Sequence, residues 1–142
     1  MIIEGKLIKC EKTAKEFKGK KGDEKTFVTL AEVKLSDKQR KELNDAFKDS
    51  GDKFTPGWMK NFEGYVNLST VYDIPVRVDD QSSDNAGDEF NSLLDVCVNN
   101  KVAWLGAKVK LSVNIKEGAV YPKACLIIEE GEPFNPFAEF DN

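Results

Sequence analysis

The sequence predicts a mainly β (α+β) domain in which about five strands form a small barrel or a mixed sheet, accompanied by two helices. Three observations predict this class. Several runs are rich in β-branched residues or alternate apolar and polar positions, two such runs flank a short turn, and only two stretches show helical spacing. The chain has 142 residues, 40% hydrophobic and 32% charged, which fits one soluble globular domain.

The first part of the chain predicts two strands followed by a helix. Residues 2–10 and 26–35 contain many β-branched residues, which favour strands. Residues 11–25 join them and contain six lysines, two glycines and a Gly-Asp turn signal. Ser36 and Gln39 then have the spacing of a capping box, which predicts that a short helix begins there.

Residues 62–78 predict an extended segment whose two faces can be told apart by parity. Even positions are mostly apolar and odd positions mostly polar, so the even positions, Tyr72 among them, should face the core. Pro75 has no N–H to donate to a neighbouring strand, which predicts an edge or a break at this end of the segment. A polar, acidic loop follows at 79–89.

A second helix and a β-hairpin complete the predicted domain. Apolar residues recur at helical spacing, i, i+3, i+4, i+7 and i+8, in the stripe Phe90, Leu93, Leu94, Cys97 and Val98. Residues 106–130 contain two β-rich runs around a Lys-Glu-Gly turn, which predicts the hairpin. In its first strand the odd positions 109–115 should face the core, and Lys108 and Lys110 should face outward.

Composition excludes several kinds of site. The chain contains no histidine, which excludes Ser-His-Asp and Cys-His catalytic pairs and His-ligated zinc. Its three cysteines are far apart and odd in number, so we expect reduced thiols in a cytoplasmic protein and no disulfide framework. No stretch has the pattern of a signal peptide or a membrane span. We expect no enzymatic activity, no metal ion, no cofactor and no membrane partner.

Charge is distributed unevenly along the chain. The net charge is −4, but the segment from Glu129 to Asn142 contains five acids and no base. Residues 1–128 therefore carry 20 of the 25 acids and all 21 bases, a net charge of +1. The overall negative charge thus does not argue against a polyanionic partner. We interpret residues 1–130 as a binding domain and residues 131–142 as a flexible acidic C-terminal tail.

Lysines combined with outward aromatic residues are typical of a surface that binds single-stranded nucleic acid. Such a surface needs cations that follow the phosphates and flat side chains on which unpaired bases stack. The candidate binding residues are Lys18, Lys20, Lys21, Lys25, Trp58, Tyr65, Arg77, Trp104, Lys108, Lys110 and Tyr121. The alternative is that the lysines only solvate the outer side of a sheet and that the tryptophans belong to the core.

The tail carries a pattern of its own, phenylalanines among acids. Acids with exposed phenylalanines suit an apolar pocket that is rimmed with basic residues on a partner protein. The same segment could instead cover the protein's own basic groove, or pack its rings on the domain. The candidate partner-binding residues are Phe134, Phe137, Glu139, Phe140 and Asp141.

In its strand-rich domain, lysine-rich first connection, outward aromatic residues and acidic, Phe-containing tail, the chain resembles the single-stranded DNA-binding proteins of tailed phages. More distantly it is similar to the bacterial ones. The resemblance covers the organisation of most of the chain, and only the tail resembles a motif. It implies a five-stranded OB-fold barrel that protects single-stranded DNA, a tail that recruits replication and recombination proteins, and a location in the host cytoplasm. It leaves open a homo-oligomer.

Two other functions stay open. The acidic segments could make the protein an adaptor or inhibitor that binds a basic protein and no nucleic acid. Alternatively, Glu32 and Lys34 stand two residues apart on the predicted second strand, with Asp23 nine residues before Glu32. Carboxylates and a lysine in such an arrangement can hold Mg²⁺ and orient a water in a nuclease. We rank single-stranded DNA binding first, the adaptor second and the nuclease third.

Overall fold

The structure is a computed structural model. It describes residues 1–14, 16–17, 19–48, 64–116, 119–133, 135–137 and 140–141. Within these ranges the chain forms nine strands and two helices, in the order β1 (Ile2–Thr13), β2 (Glu16–Phe17), β3 (Lys20–Lys21), β4 (Lys25–Ala31), α1 (Asp37–Lys48), β5 (Val66–Thr70), β6 (Val76–Val78), β7 (Glu89–Phe90), α2 (Leu93–Val98), β8 (Lys108–Lys116) and β9 (Ala119–Glu129). Neither of the two described helices combines the length and the apolar character that crossing a membrane requires.

Seven strands form one sheet, and two form a separate small hairpin. The spatial order in the sheet is β5-β4-β1-β8-β9-β6-β7, while β2 pairs with β3. All pairs are antiparallel except β6 with β9, which run parallel. The predicted mainly β class is confirmed. The hydrogen-bonded ladder is an open sheet, with β5 at one edge and β7 at the other.

One side of this sheet packs into a single core. Along β8 the inward residues Val109, Leu111 and Val113 are buried, and the predicted parity of this strand is confirmed. Helix α2 adds Leu93 and Val96 to the same core. A short helix cannot cover seven strands, so the sheet has to curve around its own apolar side. In agreement, β5 lies close to β9 although the two strands do not pair.

The first helix begins as the sequence predicts. The Gln39 backbone N–H donates to Ser36 Oγ at 3.1 Å, and the Ser36 backbone N–H donates to Gln39 Oε1 at 3.0 Å. This is the reciprocal pattern of a capping box, which satisfies two donors that a helix start leaves free. Gln39 Nε2 also donates to the Ile2 carbonyl at 2.9 Å, and Leu43 is buried. Helix α1 is thereby attached to the start of β1.

The segment predicted as one strand at 62–78 is divided into β5 and β6. Pro75 lies directly before β6, so the predicted break is confirmed. Even positions such as Val66 and Val76 are buried on both sides of the break, but Tyr72 is 70% exposed, and its predicted core position is wrong. The Tyr72 backbone N–H donates to Thr70 Oγ1 at 3.1 Å, a local turn that ends the alternation before Tyr72 is reached.

The second helix is shorter than its apolar stripe predicts. Phe90 lies in β7, opposite Val76, and the helix begins only after Ser92, whose Oγ accepts from the Asp95 N–H. Val98, at the other end of the stripe, is exposed. Phe90 pairs with β6 in the sheet, and Ser92 caps the helix two residues later. The apolar spacing therefore predicted a helix that begins too early.

Candidate nucleic-acid interface

A tyrosine ring is held among polar and cationic groups on the outer side of the β8–β9 hairpin. Asn114 pairs directly with Tyr121 in the antiparallel register, and its Nδ2 donates to the Tyr121 hydroxyl at 2.8 Å. The Lys116 ammonium lies 5.6 Å from the centroid of the same ring. This distance is within the range of a cation–π interaction. The Tyr121 ring is thus held by a hydrogen bond, and a positively charged ammonium lies at its edge.

The phenol and the ammonium stabilise each other's charged forms. Hydrogen bonding to Lys116 lowers the pKa of Tyr121, and Asn114 and the positive charge of Lys123 act in the same direction. The hydrogen bond to Tyr121 in turn raises the pKa of Lys116. Lys116 therefore remains a cation throughout the physiological range.

A second tyrosine lies near this group. Tyr72, exposed after the end of β5, contributes to the electrostatic environment of Lys116. Its proximity follows from the approach of β5 to β9. We call the five residues Tyr72, Asn114, Lys116, Tyr121 and Lys123 the tyrosine cluster. Sequence parity missed Tyr72, and the signal that could have found it is the nearby Thr70 and Pro75, which together mark a turn.

The outward side of β4 and β5 carries aromatic and polar residues and no acid. Thr29 Oγ1 donates to Asn67 Oδ1 at 3.1 Å across the two strands, and Phe27 lies opposite Ser69. Tyr65, just before β5, is 51% exposed. We call this surface the β4–β5 face, formed by Lys25, Phe27, Thr29, Tyr65, Asn67 and Ser69. Neither strand contains a carboxylate, so nothing on the strands themselves repels a phosphate.

The lysine-rich connection between β1 and β4 forms a small arm. Its strands β2 and β3 pair Glu16 with Lys21 and Phe17 with Lys20, and Gly19 supplies the left-handed backbone, φ +75°, that the turn requires. The structure thus places the predicted Lys20 and Lys21 on the arm and exposed Lys25 where the arm meets β4. The predicted Lys18 lies outside the described residues.

The arm and the β8–β9 hairpin approach the same end of β5. At the base of the arm, Thr26 pairs with Thr70. In the parallel pair β6–β9, Val76 lies opposite Cys125. β5 itself lies close to β9, and Tyr72, two residues after β5, contributes to the electrostatic environment of Lys116 at the end of β8. The lysine arm and the tyrosine cluster therefore both lie near the Thr70 end of the β4–β5 face.

The remaining predicted cations lie on another part of the sheet. Arg77 and Lys110 project from β6 and β8 and both neighbour Leu126 of β9, at a groove of about 410 Å³. Lys108 forms an ion pair with Glu129 at 3.3 Å. Leu126 is five residues from Tyr121 along β9, roughly 16 Å at the usual rise per residue. The structure thus divides the predicted binding residues into two groups.

Of the two predicted tryptophans the structure describes Trp104, which does not join the β4–β5 face. Trp104 is half-buried and packs against the core, and its indole N–H is buried without a hydrogen-bond partner among the described residues. This environment resembles a core position more than a stacking platform. Trp58 lies outside the described residues.

The arrangement that suggested a nuclease is not on a strand. β4 ends at Ala31, and Glu32 follows with a left-handed φ of 55°, so its predicted position on the second strand is wrong. Its exposed carboxylate lies 3.8 Å from the Lys6 ammonium. Asp23 lies in the exposed link between β3 and β4. The described residues contain no group of three or more acids or cysteines that could hold a metal ion.

The segment predicted as a tail is attached to the domain at its beginning. The Gly131 N–H donates to the Ala103 carbonyl at 2.6 Å, and the Glu132 N–H donates to the Leu105 carbonyl at 2.8 Å. A Cβ at Gly131 would overlap the Leu105 carbonyl oxygen, so this close approach requires glycine. The segment therefore leaves the domain only after Glu132.

Further along, two phenylalanines form an exposed pair. The rings of Phe137 and Phe140 lie 6.5 Å apart, and the side chains are 63% and 82% exposed. The Phe137 N–H donates to Asn135 Oδ1, and Asn135 Nδ2 donates to Asp141 Oδ2. These bonds make a local turn that presents both rings beside a carboxylate. The predicted Phe134 and Glu139 lie outside the described residues.

This geometry stands without support from comparison. No family model, no curated protein and no solved structure matches the chain.

Proposed function

We propose that this protein binds single-stranded DNA, without sequence specificity, across the β4–β5 face. One observation carries the proposal: a face whose two strands contain no acid, with exposed Tyr65 and half-buried Phe27, lies next to a lysine-rich arm and to a cluster of tyrosines and lysines. The arm would follow phosphates, and Tyr65, Tyr72 and Tyr121 would stack on bases, at about 1 to 3 kcal/mol per base. Stacking does not discriminate between bases, which is why we expect sequence independence.

The strand pairing supports an OB-type barrel as the scaffold. If β5 and β6 are two halves of one strand interrupted at 71–75, the pairs β1–β4, β4–β5, β6–β9, β9–β8 and β8–β1 form a closed ring of five strands. In OB folds the face of the second and third strands, with the loops between strands 1 and 2 and between strands 4 and 5, binds oligonucleotides. In this ring those are β4 with β5, the lysine arm and the β8–β9 turn.

We also propose that the C-terminal segment recruits partner proteins, and the exposed Phe137–Phe140 pair supports this. While the domain protects the strand, Phe137, Phe140 and Asp141 would recruit replication or recombination proteins in the host cytoplasm. Exposed aromatic rings beside acids are suited to an apolar pocket with a basic rim.

The decisive experiment is a titration of fluorescein-labelled oligo(dT) with the full chain, followed by anisotropy at several salt concentrations. We expect binding whose logarithmic affinity falls linearly with the logarithm of salt, because each neutralised phosphate releases counterions. Duplex DNA and RNA oligonucleotides of equal length serve as comparisons. If no oligo(dT) binds even at low salt, the proposal is wrong.

A second candidate is the adaptor without nucleic-acid binding. The Phe137–Phe140 pair is the observation that favours it, since the pair could act in the same way whether or not the domain binds DNA. Absence of oligo(dT) binding, with a basic protein partner still bound through these rings, would favour the adaptor.

A further inference from the structure

An apolar groove crosses the outer surface of β8, β9 and β6, apart from the β4–β5 face. We call it the Leu126 groove, with a volume of about 410 Å³, lined by Ile2, Arg77, Glu89, Phe90, Lys110 and Leu126 among others. Ile2 is 57% exposed on the outer side of β1, where a polar residue would be ordinary. A concave surface of this size with an apolar floor and a few polar groups is typical of a binding site.

Two cations at this groove have no ion-pair partner among the described residues. Arg77 and Lys110 lie on opposite sides of Leu126. Glu89 and Glu4 stand opposite them in the strand registers. No described carboxylate, however, lies within 4 Å of either cation, whereas Lys6, Lys9, Lys101 and Lys108 each have such a partner. The groove thus offers an apolar floor and two cations that form no ion pair among the described residues.

The C-terminal segment of the chain has the complementary composition. It presents two exposed aromatic rings, Phe137 and Phe140, next to the Asp141 carboxylate. From Glu129 onward it contains five acids and no base. Aromatic rings that enter an apolar site, with acids that meet cations at its rim, are the usual anchors of a peptide–protein contact.

The described part of the segment, residues 129–133, 135–137 and 140–141, does not occupy the groove of its own copy. None of its described residues lines the groove, and Gly131 and Glu132 are bonded instead to the Ala103–Leu105 stretch. We propose that the Leu126 groove binds the Phe137–Phe140 segment of a second copy of this chain. The rings lie on Leu126 and Phe90, and Asp141 bonds to Arg77 or Lys110. Self-association therefore uses a surface other than the β4–β5 face.

This contact joins two different surfaces, so it extends from copy to copy unless it closes into a ring. Each copy offers one groove and one segment. If the proposed function holds, and only then, neighbouring copies on one strand would be linked through it, and DNA binding would be cooperative. Oligonucleotides that are too short for two copies would be bound without this cooperative increase in affinity.

Sedimentation velocity of the full chain over a range of concentrations tests the contact. Wild type should associate, with weaker association at high salt. Arg77→Glu, which breaks the groove, and Phe137→Ala with Phe140→Ala, which breaks the segment, should each weaken self-association by about tenfold or more. Lys34→Glu, the same charge change at an exposed lysine outside the groove, should associate like wild type. Thermal unfolding checks that every variant is folded.

Mixing the two defective variants gives the sharpest result. Arg77→Glu retains its segment and the double phenylalanine variant retains its groove, so the mixture should form a heterodimer that neither forms alone. A monomeric wild type at about 0.1 mM, a mixture that stays monomeric, or unchanged association of either variant alone would each overturn the proposal. Binding to an oligonucleotide too short for two copies is measured in parallel, so that loss of DNA binding counts against the proposed function and not against this contact.

Discussion

The β4–β5 face and the Leu126 groove are two outer surfaces of one sheet, and both present cations, but they differ in what lies between those cations. On the β4–β5 face the neighbours are Tyr65, Phe27, two hydroxyls and an amide, and neither strand contains an acid. Around the groove the floor is apolar, and glutamates stand opposite the cations in the registers. A polyanion suits the first surface, and an acidic peptide with aromatic anchors suits the second.

The largest effect should come from removing the two tyrosines of the tyrosine cluster, which lies next to the β4–β5 face. Replacing Tyr72 and Tyr121 by alanine together should cost about 2 to 4 kcal/mol of oligo(dT) binding, at least about 30-fold in Kd, because two stacking platforms are lost. Anisotropy titrations at constant salt measure this. Arg77→Ala with Lys110→Ala is the matched control on the groove, where we expect short-oligonucleotide affinity to stay within about twofold of wild type. Equal losses in both double variants would abolish the distinction between the surfaces.

Removing a single cation of the tyrosine cluster should weaken DNA binding less. Lys116→Ala should weaken oligo(dT) binding about two- to tenfold and reduce the slope of log affinity against log salt by about 1, since one phosphate contact is removed. Lys108→Ala is the control, because its ammonium is already paired with Glu129 on the other surface. An unchanged salt slope in Lys116→Ala would mean that this lysine does not contact phosphate.

Shortening the chain after Glu132 should have a still smaller effect. The bonded residues Gly131 and Glu132 remain, so the domain keeps its attachment, while two acids and the exposed rings are removed. We expect affinity for short oligo(dT) to be unchanged or to rise up to about threefold, because competing negative charge is lost. A marked loss of affinity in the same titration would show that the segment belongs to the DNA site.

The smallest effect concerns pH. The lowered pKa of Tyr121 means that its phenolate begins to form at a less alkaline pH than for a free tyrosine. A new negative charge in the tyrosine cluster should then weaken oligo(dT) binding as pH rises into the alkaline range. Tyr121→Phe keeps the ring and should bind like wild type at neutral pH without that alkaline loss. Identical pH profiles for the two proteins would contradict this.

Local signals predicted much of the fold, because their physical causes are local. The Ser36–Gln39 capping box, the parity of β8 and the break at Pro75 depend on residues a few positions apart. The parallel pairing of β6 with β9 joins segments about fifty residues apart, and no pattern along the chain encodes it. Tyr72 was assigned to the core because parity was carried through a turn that ends it.

Because local patterns do not encode strand pairing, the sequence could not show which of the candidate binding residues share a surface. The sequence places Tyr121, Arg77 and Lys110 alike on outward positions of strands, and Arg77 and Lys110 are exposed there. Which outward positions share a surface depends on register and on the curvature of the sheet. Lys110 and Arg77 meet at Leu126, while Tyr121, on the same strand as Leu126, lies toward the end of β5. Only the paired strands reveal that division.

Gly131 has a consequence for how the C-terminal segment could diverge among related chains. Because its backbone is bonded to Ala103 in a space that admits no side chain, the segment starts from a defined point and in a defined direction. The reach of the Phe137–Phe140 pair is then set by the residues that link it to Glu132, at up to about 3.5 Å for each residue. An insertion or deletion there would change which neighbours can be contacted while leaving the domain unaltered, so the length of this segment, more than its composition, would limit the spacing between copies.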